Sequence, residues 1–159
     1  MIGWQTEGQR LLTNKMVYNS FDQNVLLKLP DVKLYDSTGN LVSLKDSEKI
    51  IILDFWNSTC GPCYRLFPTI DSVRKKLDQT KYDIRVVNIP LNGEVKKDNY
   101  RLLNKYHYTF NQLFAETNSV VDSFGVEVYP TTIILFRNNV IFRGAFENAM
   151  KKIQTIQTR

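Results

Sequence analysis

The sequence contains few cysteine and histidine residues, the usual ligands of structural zinc. Its 159 residues include two cysteines, Cys60 and Cys63, and one histidine, His107. A structural zinc site needs four ligands, usually Cys or His. A complete Cys/His zinc site within one chain is therefore excluded, and no metal is expected.

The sequence also lacks long apolar runs and clustered charge. Its apolar runs are far shorter than the roughly 20 residues that a transmembrane helix needs, so no membrane span is predicted. The net charge is +5, but the basic residues are scattered, with only short groups such as Arg74-Lys75-Lys76. This pattern is typical of a solvated surface, and nucleic acid is not an expected partner.

The first thirty residues show no signal-peptide h-region. Two hypotheses follow, a cytoplasmic protein and a mature form whose signal has been removed. The length and the 43% hydrophobic content suit one domain with its own core. We predict this domain over residues 26–159, after an N-terminal extension over residues 1–25 for which the pattern indicates no definite structure.

The two cysteines form the motif Cys60-Gly61-Pro62-Cys63 between a predicted strand and a predicted helix. The run before the motif, 49–56, is apolar and β-branched, which is typical of a buried strand. The run after it carries apolar residues at helical spacing and predicts a helix over 61–79, with Pro68 as a kink. Cys60 is therefore expected near the helix N-cap, and Cys63 within the first turn.

This position favours redox chemistry at the two cysteines. A helix N-terminus and a C-x-x-C partner both lower the pKa of a cysteine thiol. The thiolate is the species that attacks a disulfide. We predict Cys60 as the nucleophile, because it is nearer the helix end and the surface, and Cys63 as the residue that resolves the mixed disulfide. A purely structural disulfide is the weaker alternative, since it would close a very small loop.

The rest of the chain alternates between strand and helix patterns. A strand, helix and strand in succession predict a right-handed parallel crossover. In chain order the further predictions are a hairpin within 29–44 that turns at 36–40, a strand over 84–90, a helix over 98–107, a short strand over 107–110, a helix over 118–124 capped by Gly125, strands over 131–136 and 140–143 around a turn at 138–139, and a helix from 146 to the C-terminus.

Together these features resemble the thioredoxin superfamily over about residues 26–155. The resemblance implies an α/β fold, with a central mixed β-sheet flanked by helices. The matching residues are Cys60 and Cys63, the buried acid Asp54, the active-site tryptophan Trp56, the helix proline Pro68, the cis-proline loop 124–131 and the late glycine Gly144.

Two features resemble the TlpA/ResA-like thiol–disulfide oxidoreductases in particular. One is the early hairpin, which implies an N-terminal β-hairpin extension. The other is a long stretch after the third strand, which implies an insertion before the cis-proline loop. The chain departs from thioredoxin at two positions: Thr59 replaces a tryptophan, and Val86 replaces the lysine that pairs with the buried acid.

The resemblance implies a role for Asp54 behind the cysteines. Buried there, its carboxyl would have a raised pKa through desolvation. It would take the proton of Cys63, directly or through a water. The alternative from the residues alone is a solvated aspartate that faces the edge of the sheet.

The resemblance also implies a substrate surface. X–Pro bonds are usually trans, but the family match implies a cis bond between Tyr129 and Pro130. The residues expected to bind substrate or to tune the redox pair are Thr59, Gly61, Pro62, Tyr129 and Pro130. Trp56 is expected to be a supporting core aromatic, and His107 a packed or surface residue.

The implied function is a thiol–disulfide oxidoreductase that reduces protein disulfides, since the Gly61-Pro62 dipeptide resembles that of reducing thioredoxins. It needs no cofactor beyond the redox-active pair, and a separate thiol donor would restore the reduced form. The family branch implies an extracytoplasmic location. We expect the protein to be a monomer.

Three alternatives stand beside this function. The first is a general cytoplasmic thioredoxin. The second is a peroxidase of the same superfamily, whose peroxidatic cysteine lies in a different loop with a dedicated arginine. The third is a non-catalytic binding module, against which the intact Cys60, Cys63, Asp54 and Pro130 argue.

Overall fold

The structure, a computed structural model, describes residues 27–94 and 96–157. The N-terminal extension predicted over residues 1–25 lies outside these residues. The elements of the described residues are β1 Leu27–Lys28, β2 Leu34–Tyr35, β3 Leu41–Val42, β4 Ile50–Trp56, α1 Gly61–Lys76, β5 Tyr82–Asn88, α2 Lys96–Asn104, β6 Asn111–Ala115, α3 Ser119–Phe124, β7 Thr131–Phe136, β8 Asn139–Gly144 and α4 Phe146–Gln157.

All the described strands join one mixed sheet in the order β1-β8-β7-β4-β5-β6-β2-β3. The pairs β4–β5 and β5–β6 are parallel, and the other pairs are antiparallel. The helix α1 connects the parallel strands β4 and β5, as the strand-helix-strand pattern predicts. The expected mixed sheet with flanking helices is confirmed.

The central strand β4 is buried along its whole length. Its side chains alternate between two hydrophobic clusters, because successive residues of a strand face opposite sides of the sheet. Leu53 and Phe55 pack in the cluster that includes Phe124 of α3. Ile52 and Trp56 pack in the other cluster, which holds both cysteines and residues of α4. Full burial of each such side chain stabilises the fold by about 1.5–3 kcal/mol.

The early hairpin is present, and it belongs to the sheet. β2 pairs with β3 and also with β6, so the hairpin forms one edge of the central sheet. Its turn is held by the Asp36 carboxylate, which accepts hydrogen bonds from the backbone N–H groups of Thr38 and Asn40, both at 2.9 Å.

The active-site helix ends earlier than predicted. α1 stops at Lys76, and Leu77 is its C-cap with an extended ψ of 146°. Directly afterwards, Asp78 accepts hydrogen bonds from the N–H and hydroxyl of Thr80 at 2.9 and 2.6 Å. This local turn competes with the helix for the backbone, which is why the helix does not reach Gln79.

The short strand predicted over 107–110 is wrong. His107 has a left-handed φ of 54°, which interrupts an extended backbone, and the strand β6 begins only at Asn111. The helix predicted over 98–107 likewise ends at Asn104, before this turn. β6 exists because it pairs with β5 on one side and β2 on the other.

The hairpin between β7 and β8 turns one residue earlier than predicted. The turn residues are Arg137 and Asn138, with φ values of 47° and 62°, and Asn139 already belongs to β8. Two positive φ values suit a two-residue hairpin turn. The Asn138 side chain exchanges hydrogen bonds with Asp46 at 2.8 and 2.9 Å, which fixes Asn138 within the turn.

Candidate active site

The two cysteines lie at the start of α1, at the predicted junction. Cys60 is the N-cap of the helix, Cys63 lies in its first turn, and the two form a disulfide. Cys60 is 8% exposed, whereas Cys63 is fully buried. Of the two cysteines, only Cys60 can therefore attack another molecule or be attacked by one.

The helix start directs a backbone donor at the sulfur of Cys60. The backbone N–H of Cys63 lies 3.1 Å from Cys60 Sγ. Free N–H groups and the positive end of the helix dipole favour negative charge at this point. The arrangement therefore favours the thiolate of Cys60 when the pair is reduced.

Side chains hold the loop before Cys60 in place. Asn57 Oδ1 accepts hydrogen bonds from the N–H and hydroxyl of Thr59, both at 3.1 Å. The Tyr64 hydroxyl donates to the Ser58 carbonyl at 3.0 Å. The Ser58 hydroxyl donates to the Glu94 carboxylate. Each of these polar groups of the short turn thus has a fixed partner.

Glu94 is the centre of a polar network that sequence reasoning missed. Its Oε2 accepts hydrogen bonds from the Leu91 N–H and from Asn99 Nδ2, both at 2.9 Å. Asn99 Nδ2 also donates to Asn88 Oδ1 at 2.9 Å, and Asn88 pairs with Trp56 at the end of the parallel strands. Partial burial raises the pKa of Glu94, but the hydrogen bonds from its three donors outweigh this and hold the pKa below its ordinary value.

Asp54 is fully buried, which excludes the solvated alternative. It lies on the face of β4 that carries Ile52 and Trp56, the face of the cluster with both cysteines. Its Oδ2 accepts a hydrogen bond from Thr132 Oγ1 at 2.7 Å. Burial raises the pKa of Asp54 to about 7, against the lowering effect of this hydrogen bond.

Thr132 is the second residue that sequence reasoning missed. Asp54 pairs with Thr132 on one neighbouring strand and with Val86 on the other. Val86 is buried and apolar, so the position of the thioredoxin lysine supplies no cation here. The only feature of the sequence that could have pointed to Thr132 is its position two residues after Pro130.

The predicted substrate-binding residues lie near the cysteines, where β4 ends and β7 begins. β4 and β7 are antiparallel, so the start of β7 lies beside the end of β4, from which the cysteine loop leaves. The peptide bond from Tyr129 to Pro130, just before β7, is cis. Tyr129 is half-buried, and desolvation, with a smaller effect of the Asp122 charge, raises its pKa to about 12. The other predicted residues, Thr59, Gly61 and Pro62, are exposed.

Trp56 is a core aromatic, as predicted. Its ring packs edge-on against Phe67 and Tyr64, with centroid distances of 5.3 and 5.8 Å. His107 is exposed, in the turn before β6. Within the described ranges, no three His, Cys, Asp or Glu residues form a group that could hold a metal ion. No helix in that part of the chain is long and apolar enough to cross a membrane.

The chain is similar in sequence to proteins named thiol-disulfide oxidoreductases. The family model described as the AhpC/TSA family matches residues 25–143. The thiol-disulfide oxidoreductase ResA of Bacillus subtilis is 28% identical over 107 residues, which are 67% of this chain and 58% of ResA. ResA of Geobacillus thermodenitrificans is 27% identical over 113 residues, 70% of this chain and 63% of that protein. The chain thus spans about three fifths of the length of these relatives.

Solved structures confirm the thioredoxin-like fold. A protein described as thiol:disulfide interchange protein DsbE, from Chlorobium tepidum, superposes with a TM-score of 0.69 at 26% identity and covers 84% of this chain and 95% of its own. The exposed lipoprotein thioredoxin Etrx1 of Streptococcus pneumoniae superposes with a TM-score of 0.67 at 21% identity, over 81% of this chain and 99% of its own.

Proposed function

The chain belongs to the AhpC/TSA family, and from its similarity to ResA and DsbE proteins we propose that it is a thiol–disulfide oxidoreductase of the ResA/DsbE type that reduces protein disulfides. The observation that carries the proposal is the different exposure of the two disulfide-bonded cysteines at the start of α1. Cys60 is 8% exposed and Cys63 is fully buried. In such a pair the more exposed cysteine can form a mixed disulfide with the substrate, and the buried cysteine can then displace the substrate by forming the intramolecular disulfide.

The proposed cycle begins with the reduced pair. The Cys60 thiolate attacks a sulfur of the substrate disulfide and forms a mixed disulfide, while the second substrate sulfur leaves as a thiolate. Cys63, as a thiolate, then attacks Cys60 Sγ. The Cys60–Cys63 bond forms, the bond from Cys60 to the substrate breaks, and the electron pair leaves on the substrate sulfur. The substrate gains two electrons, and the protein loses two.

Asp54 supports the second step as a proton acceptor. A group serves best as an acid or base when its pKa lies near the working pH. Burial brings the pKa of Asp54 to about 7, and Asp54 lies on the face of the sheet against which Cys63 of α1 packs. Asp54 can therefore take the proton of the Cys63 thiol, directly or through a water, and release it later.

The partners proposed are a protein disulfide substrate and an upstream thiol donor. Thr59, Gly61 and Pro62 are exposed around Cys60, and Tyr129 and Pro130 lie at the same sheet edge. The disulfide itself is the redox group, so no further cofactor enters the cycle. One similar structure is described as an exposed lipoprotein, which supports an extracytoplasmic location. We place the protein there as a monomer.

Insulin reduction tests this function. The reduced protein should reduce insulin disulfides with dithiothreitol as the donor, faster than dithiothreitol alone. Cys60→Ser should abolish the gain. Hydrogen peroxide consumption, measured with the same proteins, should stay at the level of the Cys60→Ser variant. A wild-type chain that reduces insulin no faster than this variant, or that consumes peroxide at a Cys60-dependent rate, would overturn the proposal.

A further inference from the structure

Four residues form a row across the centre of the sheet. On β5, β4, β7 and β8 the paired positions are Val86, Asp54, Thr132 and Gly144. Neighbouring strands lie about 4.8 Å apart. Of these four positions, only Asp54 and Thr132 carry a polar side chain. Gly144 has no side chain that could compete for the Thr132 hydroxyl, and Val86 offers Asp54 no donor.

The side chains of Asp54 and Thr132 form a hydrogen bond in the interior of the protein. Both are 0% exposed. Thr132 Oγ1 donates to Asp54 Oδ2 at 2.7 Å. The other carboxyl oxygen, Oδ1, is buried and has no hydrogen-bond partner among the described residues. The carboxyl group thus has one occupied oxygen and one free oxygen.

Few other groups influence the pKa of the Asp54 carboxyl. Burial and the Thr132 hydrogen bond are the two influences on its pKa, and no charged side chain of the described residues contributes. At the start of α1 the titratable groups of the cluster that holds the cysteines are the N-cap Cys60, Cys63 and the partly buried Tyr64. From β5 the cluster includes Tyr82, and near β7 and β6 it includes the partly buried Tyr129 and Tyr108. Of these groups, Cys63 is the one whose proton the resolving step must remove.

We propose that Thr132 is a positioning residue that holds Asp54 Oδ2 and leaves Oδ1 as the atom that receives the proton of Cys63. The inference rests on the proposed function, since it concerns the step in which Cys63 attacks. In this step the proton passes from Cys63 Sγ to Asp54 Oδ1, directly or through a water. The Cys63 thiolate then forms the bond to Cys60 Sγ, and the substrate sulfur leaves with the electron pair. Thr132 gives the buried acid a hydrogen bond, where thioredoxin gives it the charge of a lysine.

The test is a titration of the Asp54 carboxyl in the disulfide form, in which the cysteines do not titrate. Carbon-13 NMR of the labelled side-chain carboxyls gives the midpoint in the full chain, and Asp54→Asn identifies the Asp54 signal. Thr132→Val removes the donor that favours the ionised form. The midpoint should rise by roughly one pH unit or more, as expected for a lost hydrogen bond to a charged group. Thr132→Ser keeps a hydroxyl and should stay near the wild type.

A matched control lies next to Thr132. Thr131 is also a buried threonine of β7, but it faces the other side of the sheet, and its hydroxyl donates to the Val128 carbonyl at 2.7 Å. Thr131→Val makes the same chemical change and should leave the Asp54 midpoint unchanged. If Thr132→Val does not fold, Thr132→Ala removes the same donor without adding a methyl group. A midpoint that stays or falls when the Thr132 hydroxyl is removed would overturn the inference.

The activity measurement links the titration to the reaction. In single-turnover reduction of a model disulfide, the pH midpoint of the resolving step should rise in Thr132→Val in parallel with the NMR midpoint. When Asp54→Asn is already present, the same substitution should leave the pH profile unchanged. A parallel rise that persists in the double variant would contradict the inference. Absence of insulin reduction by the wild type would instead count against the proposed function, because the titration of the oxidised protein does not depend on turnover.

Discussion

The Ser58 hydroxyl donates a hydrogen bond to the Glu94 carboxylate, and this contact ties the loop before Cys60 to the segment that follows β5. Ser58 precedes Cys60 by two residues, and Glu94 lies 36 positions further along the chain than Ser58. The Glu94 side chain is itself held by Leu91 and Asn99. The position of the nucleophile therefore depends on a residue outside the cysteine motif.

The first prediction concerns this contact. Ser58→Ala leaves a partly buried carboxylate with one donor fewer, which costs about 1.5–3 kcal/mol of unfolding free energy. We also expect a lower kcat/KM for insulin reduction, because the loop before Cys60 loses an anchor. Urea unfolding and the insulin assay measure the two effects.

Thr109→Val is the control for this prediction. The Thr109 hydroxyl donates to the carboxylate of Asp71, a residue of α1, at 2.7 Å. Thr109→Val, like Ser58→Ala, therefore removes a hydrogen bond between a hydroxyl and a carboxylate. Asp71 follows Cys63 by eight residues, about 12 Å along a helix. Thr109→Val should lose similar stability but keep its kcat/KM. Equal losses of kcat/KM in the two variants would show that stability alone explains the effect.

The second prediction is a pH dependence of stability that comes from Asp54. The pKa of Asp54 rises from 3.8 to about 7 on folding, so between these values the folded protein binds more protons than the unfolded chain. The unfolding free energy contributed by this group therefore falls as the pH rises from about 4 to about 7, by roughly 4 kcal/mol at most.

Asp54→Asn should remove this pH dependence. The disulfide form is used, since its cysteines do not titrate. Urea unfolding at pH 5 and pH 8 should show that the wild type loses more stability than the variant over this interval. Identical losses in both proteins would mean that Asp54 is ionised throughout, and the carboxyl would then not be a proton acceptor near neutral pH.

The third prediction concerns the roles of the two sulfurs. Cys63→Ser cannot resolve a mixed disulfide, so it should accumulate a covalent adduct with insulin through Cys60. Non-reducing electrophoresis and mass spectrometry detect the adduct. Cys60→Ser should form none, because Cys63 is fully buried. An adduct through Cys63 in that variant would reverse the assignment of the two cysteines.

The fourth prediction concerns the aromatic support of the site. Phe67 is fully buried and contacts the rings of Trp56, Tyr64 and Tyr108, with centroid distances of 5.3, 5.8 and 6.1 Å. Phe67→Ala should reduce the unfolding free energy by about 3–5 kcal/mol, because it leaves a cavity against α1. Phe67→Leu fills most of this space and should lose much less. Equal losses in the two variants would contradict the cavity explanation, because the volume that Leu restores would then make no difference to the unfolding free energy.

The cysteine site could be predicted from local signals, whereas its supporting contacts could not. An apolar run before the motif and helical spacing after it place Cys60 and Cys63 at a strand-to-helix junction, and the structure confirms this. Thr132 and Glu94 reach the site from positions 78 and 36 residues after their partners. Such contacts arise from sheet register and loop packing, which no local pattern of the sequence contains.

The errors in the predicted fold also arise from contacts between distant parts of the chain. β6, Asn111–Ala115, has no clear alternation of apolar residues, and its strand conformation comes from pairing with β5 and β2. Asn138 and Asn139 both tolerate a positive φ, so the sequence allows two registers for the last hairpin. The contact between Asn138 and Asp46 belongs to the register that the structure shows.

The reduction potential of the Cys60–Cys63 pair tests the proposed reductase most directly. The protein is equilibrated with glutathione or dithiothreitol buffers, and the free thiols are alkylated and counted by mass spectrometry. For a reductant we predict a potential below the cytosolic glutathione range of about −220 to −260 mV. A potential well above this range would contradict the account, because the pair would then donate its disulfide to other proteins.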